Sequence, residues 1–551
     1  MKHMRGRTAR MVLAVVGVAA VITTAGCSLS TKASNNNSGS GSGSMLIAAD
    51  TGSPTFARNF NPFSPSKRTA TTYMYEPLEV MNTLDGTLTP FLATGYKLKD
   101  PKTVDFTVRS GVKWSDGKDF TADDVVYTFE LIKKNAALDS QGVWQHIDSV
   151  SASGNTVTFH LKEADVPAAS IIAQQIIVPK HVWSSVKDPV AYTNDKPVVT
   201  GPYLLGDFTG NQYTLKKNAS YWQADKVAVD KLTFPASNTQ LDVVNNGYDW
   251  AYSFITDVQN TWVKADKQHN TYWFPPGGTI ALLPNLTKAP FNNLDFREGI
   301  SYALDRDKIA TDAEQGYVKA AGQSGLLLPN QQAWLSSSLP NGGAISQDTS
   351  KAMAAFAKAG YTKQGDKLVD KSGKPLTLTI TTANGYTDWL QGLQTVQSQL
   401  KAIGIAVTLN QPQPAAYNQA LNNGAFDMII TGFGGTGSVF QDYNNLLNSA
   451  FAKPVGTSAT ANFERFSDPQ VDALLSQLKT TTDVGKQKQI AAQLQQTVYT
   501  KLPVISMFYG GLWGLFSDKH FTGWPSESNP YAPPNTWNST PLLILTHLKK
   551  A

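Results

Sequence analysis

The chain has 551 residues, of which 47 are basic and 42 acidic, for a formal charge of +5, and 41% are hydrophobic. Four of the cations, Lys2, Arg5, Arg7 and Arg10, crowd the first ten residues with no acid beside them, and 47 less these four leaves 43 against 42, close to neutrality. No basic cluster is interleaved with aromatics, so nucleic acid is not an expected partner, and a single cysteine, Cys27, excludes a disulfide framework.

The basic start runs into an apolar stretch at residues 11–22 and then Thr24-Ala25-Gly26-Cys27. That stretch is too short to span a bilayer and reads as an export signal. The segment resembles a bacterial lipoprotein signal, with Thr24 where such signals usually carry leucine. The resemblance implies cleavage after residue 26 and acylation of Cys27, which anchors a chain without a spanning helix; an ordinary secretory signal with an incidental cysteine is the alternative. Residues 27–44, rich in Ser, Asn and Gly, cannot bury apolar surface and predict a flexible tether. The seven histidines are scattered without ligand spacing, so no metal and no cofactor are expected. The remaining chain of about 505 residues exceeds what one core supports, which predicts two or more lobes.

The fold starts with an apolar run at residues 45–50. Asn59-Phe60-Asn61-Pro62-Phe63-Ser64-Pro65 is an irregular loop on a proline frame, and residues 73–78 read as a helix end stopped by Pro77. Residues 103–108 alternate with period two, as a half-buried strand does. Asp116-Gly117 is a tight-turn pair, and Thr121 with Asp124 forms a capping box for a helix whose apolar face is Val125, Val126, Phe129 and Ile132. Thr200-Gly201-Pro202 is a turn feeding a strand, and Asp295 is placed to cap a helix through Phe296, Ile300 and Leu304. Residues 376–380, 389–403 and 405–409 read as strand, helix and strand with Gly404 ending the helix, a βαβ unit.

Residues 426–430 form a further buried strand. Its continuation, Thr431-Gly432-Phe433-Gly434-Gly435-Thr436-Gly437, carries four glycines that permit positive φ and close approach to a bound molecule. Ligands of open α/β sheets sit beyond the carboxyl ends of strands, where this loop lies. It contains a literal G-x-G-x-x-G, but a dinucleotide site needs an acidic residue about 20 positions on, and residues 443–463 contain none.

The segment around Trp114-Ser115-Asp116-Gly117, the Thr200-Gly201-Pro202-Tyr203-Leu204 turn and Phe296-Arg297-Glu298-Gly299-Ile300-Ser301-Tyr302-Ala303-Leu304-Asp305-Arg306 occur in an order that resembles the extracellular solute-binding protein family 5, the binding components of ABC importers for dipeptides, oligopeptides, nickel and cello-oligosaccharides. The resemblance implies an α/β, two-lobed periplasmic-binding-protein-like fold (type II, cluster C) with an inserted subdomain. Lobe I is then expected at residues 45–85, 191–278 and 504–551, the insert at 86–190 and lobe II at 279–503. It further implies an extracytoplasmic, monomeric, non-enzymatic binding lipoprotein that closes on a solute and delivers it to permease and ATPase subunits.

In dipeptide- and oligopeptide-binding members an aspartate in the glycine loop neutralises the ligand's ammonium; the resemblance places Thr436 there. A neutral residue leaves a buried ammonium unpaired, which is costly, although Asp442 could substitute. Sugars ask instead for ring faces and neutral hydrogen-bonding groups, and the chain has 12 Trp, 20 Tyr and 24 Phe. The aromatic runs near the C-terminus, with the loop at Phe63, resemble the cello-oligosaccharide branch, so the expected ligand is a neutral oligosaccharide, with an oligopeptide as alternative. Expected contacts are Phe63, Tyr73, Phe433, Thr436, Gly437, Tyr443, Trp513 and Trp524, with Trp144, Trp250, Trp273 and Trp389 behind them and Asn61, Asn444 and Asn445 as neutral hydrogen-bond partners. A secreted glycoside hydrolase is the rival from another class, through Asp116 with Asp119 or Asp123 with Asp124, though these suit turn and cap roles. A lipid-anchored protein scaffold is the third.

Overall fold

The computed structural model describes residues 43–50, 55–237 and 241–551; the predicted signal, Cys27 and the tether up to residue 42 lie outside them. Two sheets organise the described chain. The first has seven strands in the order Asn270–Trp273, Gly514–Ser517, Trp250–Tyr252, Ser44–Ala48, Lys231–Pro235, Gln212–Lys217 and Tyr203–Phe208. Ser44–Ala48 runs parallel to both of its neighbours, and the outer pairs are antiparallel. The second has five strands in the order Ala406–Asn410, Thr377–Thr381, Met428–Phe433, Pro276–Pro284 and Ile505–Gly511.

Three strands of the second sheet, Met428–Phe433, Pro276–Pro284 and Ile505–Gly511, are buried along most of their length and read as near-continuous apolar runs, whereas Thr377–Thr381 and Ala406–Asn410 alternate toward one exposed edge. Ile280 and Leu282 pack into one core with Ile380, Met428 and Ile430. Ala281, Leu283 and Ile429, one residue out of step, pack into another core on the opposite face. The expected βαβ unit is present: Thr377–Thr381 pairs parallel with Ala406–Asn410 around the helix Thr387–Ala402. Gly404 ends the turn at φ +94°, where a Cβ would lie 2.7 Å from the Leu368 amide nitrogen.

A four-stranded antiparallel sheet, Ala93–Asp100, Thr103–Val108, Thr156–Leu161 and Ile147–Ser153 in that order, packs on the helix Ala122–Lys134. The Thr121–Asp124 capping box is formed. Asp124 also accepts from Trp114 Nε1 (3.3 Å) and the Lys180 amide (2.9 Å), so the turn is clamped onto the helix start. Asp116 pairs with His181, Asp119 with Lys113 and Asp123 with Lys180. All four carboxylates singled out for hydrolysis are thus engaged in turns, caps and ion pairs.

The residues 73–78 enclose no α-helix end: a 3-10 turn, Thr69–Tyr73, comes first, and Pro77 then forms a bridge to Ile176. The cap of the helix Leu294–Ala303 also differs from expectation. Asn293, not Asp295, accepts the Phe296 amide (3.4 Å), and Asp295 lies in the first turn. The helix begins earlier because residues 290 and 293 already form a backbone turn. Asn293→Ala is expected to cost about 1 kcal/mol and Asp295→Ala under about 0.5 kcal/mol, read from urea unfolding midpoints.

The two arginines of that segment serve the same junction. Arg297 donates to the carbonyls of Phe291, Lys501 and Leu502. Arg306 donates to those of Ser301, Ile345 and Ser506 and to Ser301 Oγ. Burial pushes both guanidinium groups down to about 10, with Glu298 opposing the shift at Arg297.

Two connections join the large sheets. Asn270–Trp273 passes through Phe274 and Pro275 into Pro276–Pro284; Ile505–Gly511 returns through Leu512 and Trp513 into Gly514–Ser517. They run side by side, with the Leu512 amide donating to the Pro275 carbonyl (2.8 Å), Gly511 opposite Pro276 and Gly514 opposite Trp273.

Candidate functional site

The Met428–Phe433 strand ends in the glycine loop, where Gly434, Gly435 and Gly437 hold φ between +75° and +83°. At Gly435 a Cβ would meet the Gly277 carbonyl oxygen at 2.0 Å, so only glycine lets the loop lie against the crossing strand. Gly437 lies against Thr83 and Met81, and a Cβ on Gly86 would meet the Gly437 carbonyl oxygen at 2.3 Å. The loop therefore touches the hairpin of Glu79–Asn82 and Thr87–Pro90. Ser438 then caps the helix Val439–Leu447.

Asp442, on that helix, braces the loop. Its Oδ1 accepts from Thr436 Oγ1 (2.7 Å) and the Thr436 amide (3.1 Å), and its Oδ2 from Gln331 Nε2 (2.6 Å). Burial raises the carboxyl above its ordinary range, and these hydrogen bonds oppose the shift. With both oxygens engaged, Asp442 is a structural acceptor and not a free anion for a ligand amine.

Cavities open around this contact. The largest, about 990 Å³, is lined by Tyr272, Trp273, Phe274, Tyr317 and Tyr509, by the edge of the hairpin at Leu84 and Asp85, and by Pro276, Asn330 and Glu527. The Phe274–Pro275 connection and strands of both sheets border it, and its volume suits a drug-sized ligand. Its carboxylates, Asp85 and Glu527, are solvent-exposed, and Asp85 accepts from the Thr87 amide and hydroxyl. On the other side of the hairpin a cavity of about 250 Å³ contains Phe63, Lys67, Met81 and Thr83 and a set of amide side chains. A recess of about 230 Å³ in the loop itself holds Phe433, Thr436, Asn445 and Glu464.

The predicted residues separate cleanly. Phe63, Phe433 and Thr436 border cavities, and Gly437 forms the contact between loop and hairpin. Tyr73 and Tyr443 are fully buried, with hydroxyls donated to the Thr536 and Ser324 carbonyls (2.8 Å each), so both are core residues. Trp524 is stacked on Phe516 and donates its indole N–H to the Ser517 and Phe521 carbonyls. Trp513 is wedged between Phe254 and Phe274, with centroids at 4.8 and 4.9 Å, and forms part of a crossing connection. None of these four lines the cavities described above, and each is engaged in packing: an aromatic run signals buried area but not the direction of each ring.

Of the second set, Trp273 lines the largest cavity, whereas Trp250 is core and Trp144 is tied to the Phe129 carbonyl. Trp389 stands beside Tyr386. Asn61 holds its own loop through Pro189 and Tyr192, and Asn444 accepts from Asn448. The sequence reading missed Tyr272, Phe274, Tyr317 and Tyr509. Three aromatics followed by two prolines at residues 272–276 were the available signal. Among the described residues no group of three or more His, Cys, Asp or Glu is placed to hold a metal ion.

Comparison with known proteins bears directly on this arrangement. The model of the bacterial extracellular solute-binding proteins, family 5, matches residues 87–454. The oligopeptide-binding protein AppA of Bacillus subtilis is 24% identical over 531 residues, 92% of this chain and 94% of that protein. The nickel-binding periplasmic protein of Escherichia coli is 27% identical over 396 residues, 67% and 71% of the two chains. The crystal structure of a periplasmic oligopeptide-binding protein of an ABC transporter from Thermotoga maritima superposes with a TM-score of 0.85 at 26% identity, covering 93% of this chain and 99% of that one. The same Thermotoga protein with mannohexaose bound superposes at 0.77, covering 92% and 99%. With two large α/β sheets joined by paired crossing connections and a family match over most of its length, the chain belongs to the bacterial extracellular solute-binding proteins of family 5, the substrate-binding components of ABC importers.

Proposed function

We propose that this protein captures an oligosaccharide lacking cationic groups, of the cello-oligosaccharide kind, between its lobes. The observation that carries the reading is at the glycine loop: Thr436 is neutral and spends its hydroxyl on Asp442, whose own oxygens are both engaged. Rings and amides line the neighbouring cavities, which suits sugar faces and hydroxyls. The Thermotoga relative, itself described as oligopeptide-binding, was solved with mannohexaose, which is consistent with this chemistry.

A solute that touches both lobes binds their closed arrangement more tightly and shifts the population toward it. We propose that lobe I comprises residues 45–85, 191–273 and 514–551, the inserted subdomain 86–190 and lobe II 276–511, with Phe274–Pro275 and Leu512–Trp513 as the bending points; the expected bounds of lobe II, 279–503, widen because Pro276–Pro284 and Ile505–Gly511 are both strands of the second sheet. The loaded monomer then docks on its permease without chemical change to the solute. Acylation of Cys27 would keep it at the membrane surface, and the intact mass of membrane-extracted protein reads that modification.

One observation favours the peptide reading: the Glu464 carboxyl borders the loop recess, and its Oε1 has no partner among the described residues. Burial pushes it up to about 8, so it is a neutral acid at pH 7 rather than a fixed anion. Calorimetric titration separates the readings. Cellotetraose is expected to bind at micromolar concentration and to be recovered uncleaved, with di- and tripeptides giving no heat. Micromolar peptide binding that disappears in Glu464→Gln, with silent sugars, reverses the assignment.

A further inference from the structure

Resting on the sugar reading and extending it, we propose that the cavity of about 250 Å³ between the first lobe and the inserted subdomain is a subsite for a carboxylate, so that the preferred oligosaccharides carry an acidic end, uronate or aldonate. Lys67 is the only charged side chain among its lining residues. Its Nζ reaches only the Ser64 carbonyl, at 3.4 Å, and makes no ion pair among the described residues. Lys479, by contrast, meets two carboxylates, as an ammonium withdrawn from water requires. Burial lowers the Lys67 ammonium, with no opposing anion to restore it.

The surroundings complete the case. Gln141, Gln174, Gln175, Asn535 and Asn538 share the cavity with Lys67. Asn535 Oδ1 is buried without a partner among the described residues, an acceptor suited to a sugar hydroxyl. One ammonium with several amides provides a charge-assisted contact for a carboxylate and neutral donors and acceptors for the ring that bears it. Met81 and Thr83, which line the same cavity, touch Gly437, so a ligand end lodged here lies at the contact between hairpin and glycine loop. The α-carboxylate of a peptide presents the same group.

The test titrates wild type and Lys67→Met by calorimetry with cellotetraose, the C1-oxidised cellotetraonate, tetra-alanine and tetra-alanine amide. Cellotetraonate is expected to bind wild type about tenfold tighter than cellotetraose, and Lys67→Met to bring the two within about twofold of each other. Equal binding of the two sugars by wild type overturns the subsite but leaves the sugar reading intact. Binding of tetra-alanine but neither sugar overturns the sugar reading; a Lys67-dependent loss on amidation then supports the carboxylate subsite with a peptide source, and equal binding of acid and amide overturns the subsite too. Circular dichroism of Lys67→Met, expected to match wild type, excludes misfolding as the cause.

Discussion

Replacing Asp442 by alanine is expected to lower the unfolding free energy by about 3 kcal/mol and to weaken ligand binding by at least about tenfold. The substitution removes the acceptor for the Thr436 amide, the Thr436 hydroxyl and the Gln331 amide, leaving donors unpaired in a buried place. Gln331 cannot turn away without loss, because its Oε1 accepts from the Leu327 amide (2.9 Å). The effect therefore spreads from the glycine loop to the 328–330 wall of the largest cavity. Asp442→Asn keeps an acceptor for Thr436 but offers an N–H to the Gln331 amide, so about half the loss is expected. Urea unfolding and calorimetric titration check both variants. An Asp442→Ala protein within about 0.5 kcal/mol of wild type would refute the bracing role.

The second large effect is on pH dependence, through Glu314. This side chain closes the helix Arg306–Glu314, is 1% exposed, and has an Oε2 without a partner among the described residues. Burial, with Asp388 adding to it, pushes the carboxyl up to about 9. The folded state thus keeps a proton that the unfolded chain releases near 4.5. Between those values the unfolded state binds fewer protons, so stability falls as pH rises, by at most about 1.4 kcal/mol per unit, and levels off above about 9.

Glu314→Gln is expected to be neutral near pH 4.5 and to stabilise on the order of 3 kcal/mol by pH 8. Glu464, pushed up to about 8, adds a slope of the same sign that ends one unit lower. Urea midpoints at pH 5, 7 and 9 for wild type and Glu314→Gln isolate the difference. Parallel curves would show that the carboxyl is solvated and ionised.

Several elements were legible because their causes are local. The Thr121–Asp124 box, the positive-φ glycine after the βαβ helix and the period-two strand Thr103–Val108 each rest on residues a few positions apart. The cap of the helix Leu294–Ala303 was misplaced by two residues because Asn293 and Asp295 are both competent caps, and a turn to Pro290 decides between them. The site was harder to read. Tyr73 and Phe63 lie ten residues apart in one aromatic-rich segment, yet one ring is sealed in the core by Phe234 and Trp250 and the other borders a cavity. Lys67 and Asn535 meet in one cavity from opposite ends of the chain, and no local pattern links them.

By itself the sequence determined the family, the presence of two α/β lobes, the glycine loop and the absence of an aspartate at Thr436, since motif order, hydrophobic period and residue identity are properties of the chain alone. Only the tertiary structure decided that Asp442 is consumed inside the protein, that Trp513 belongs to a crossing connection, and that Tyr272, Trp273, Lys67 and the amides face open space. The physical reason is that a cavity is space left over when distant segments pack, and which side of a ring or amide meets that space depends on neighbours hundreds of residues away.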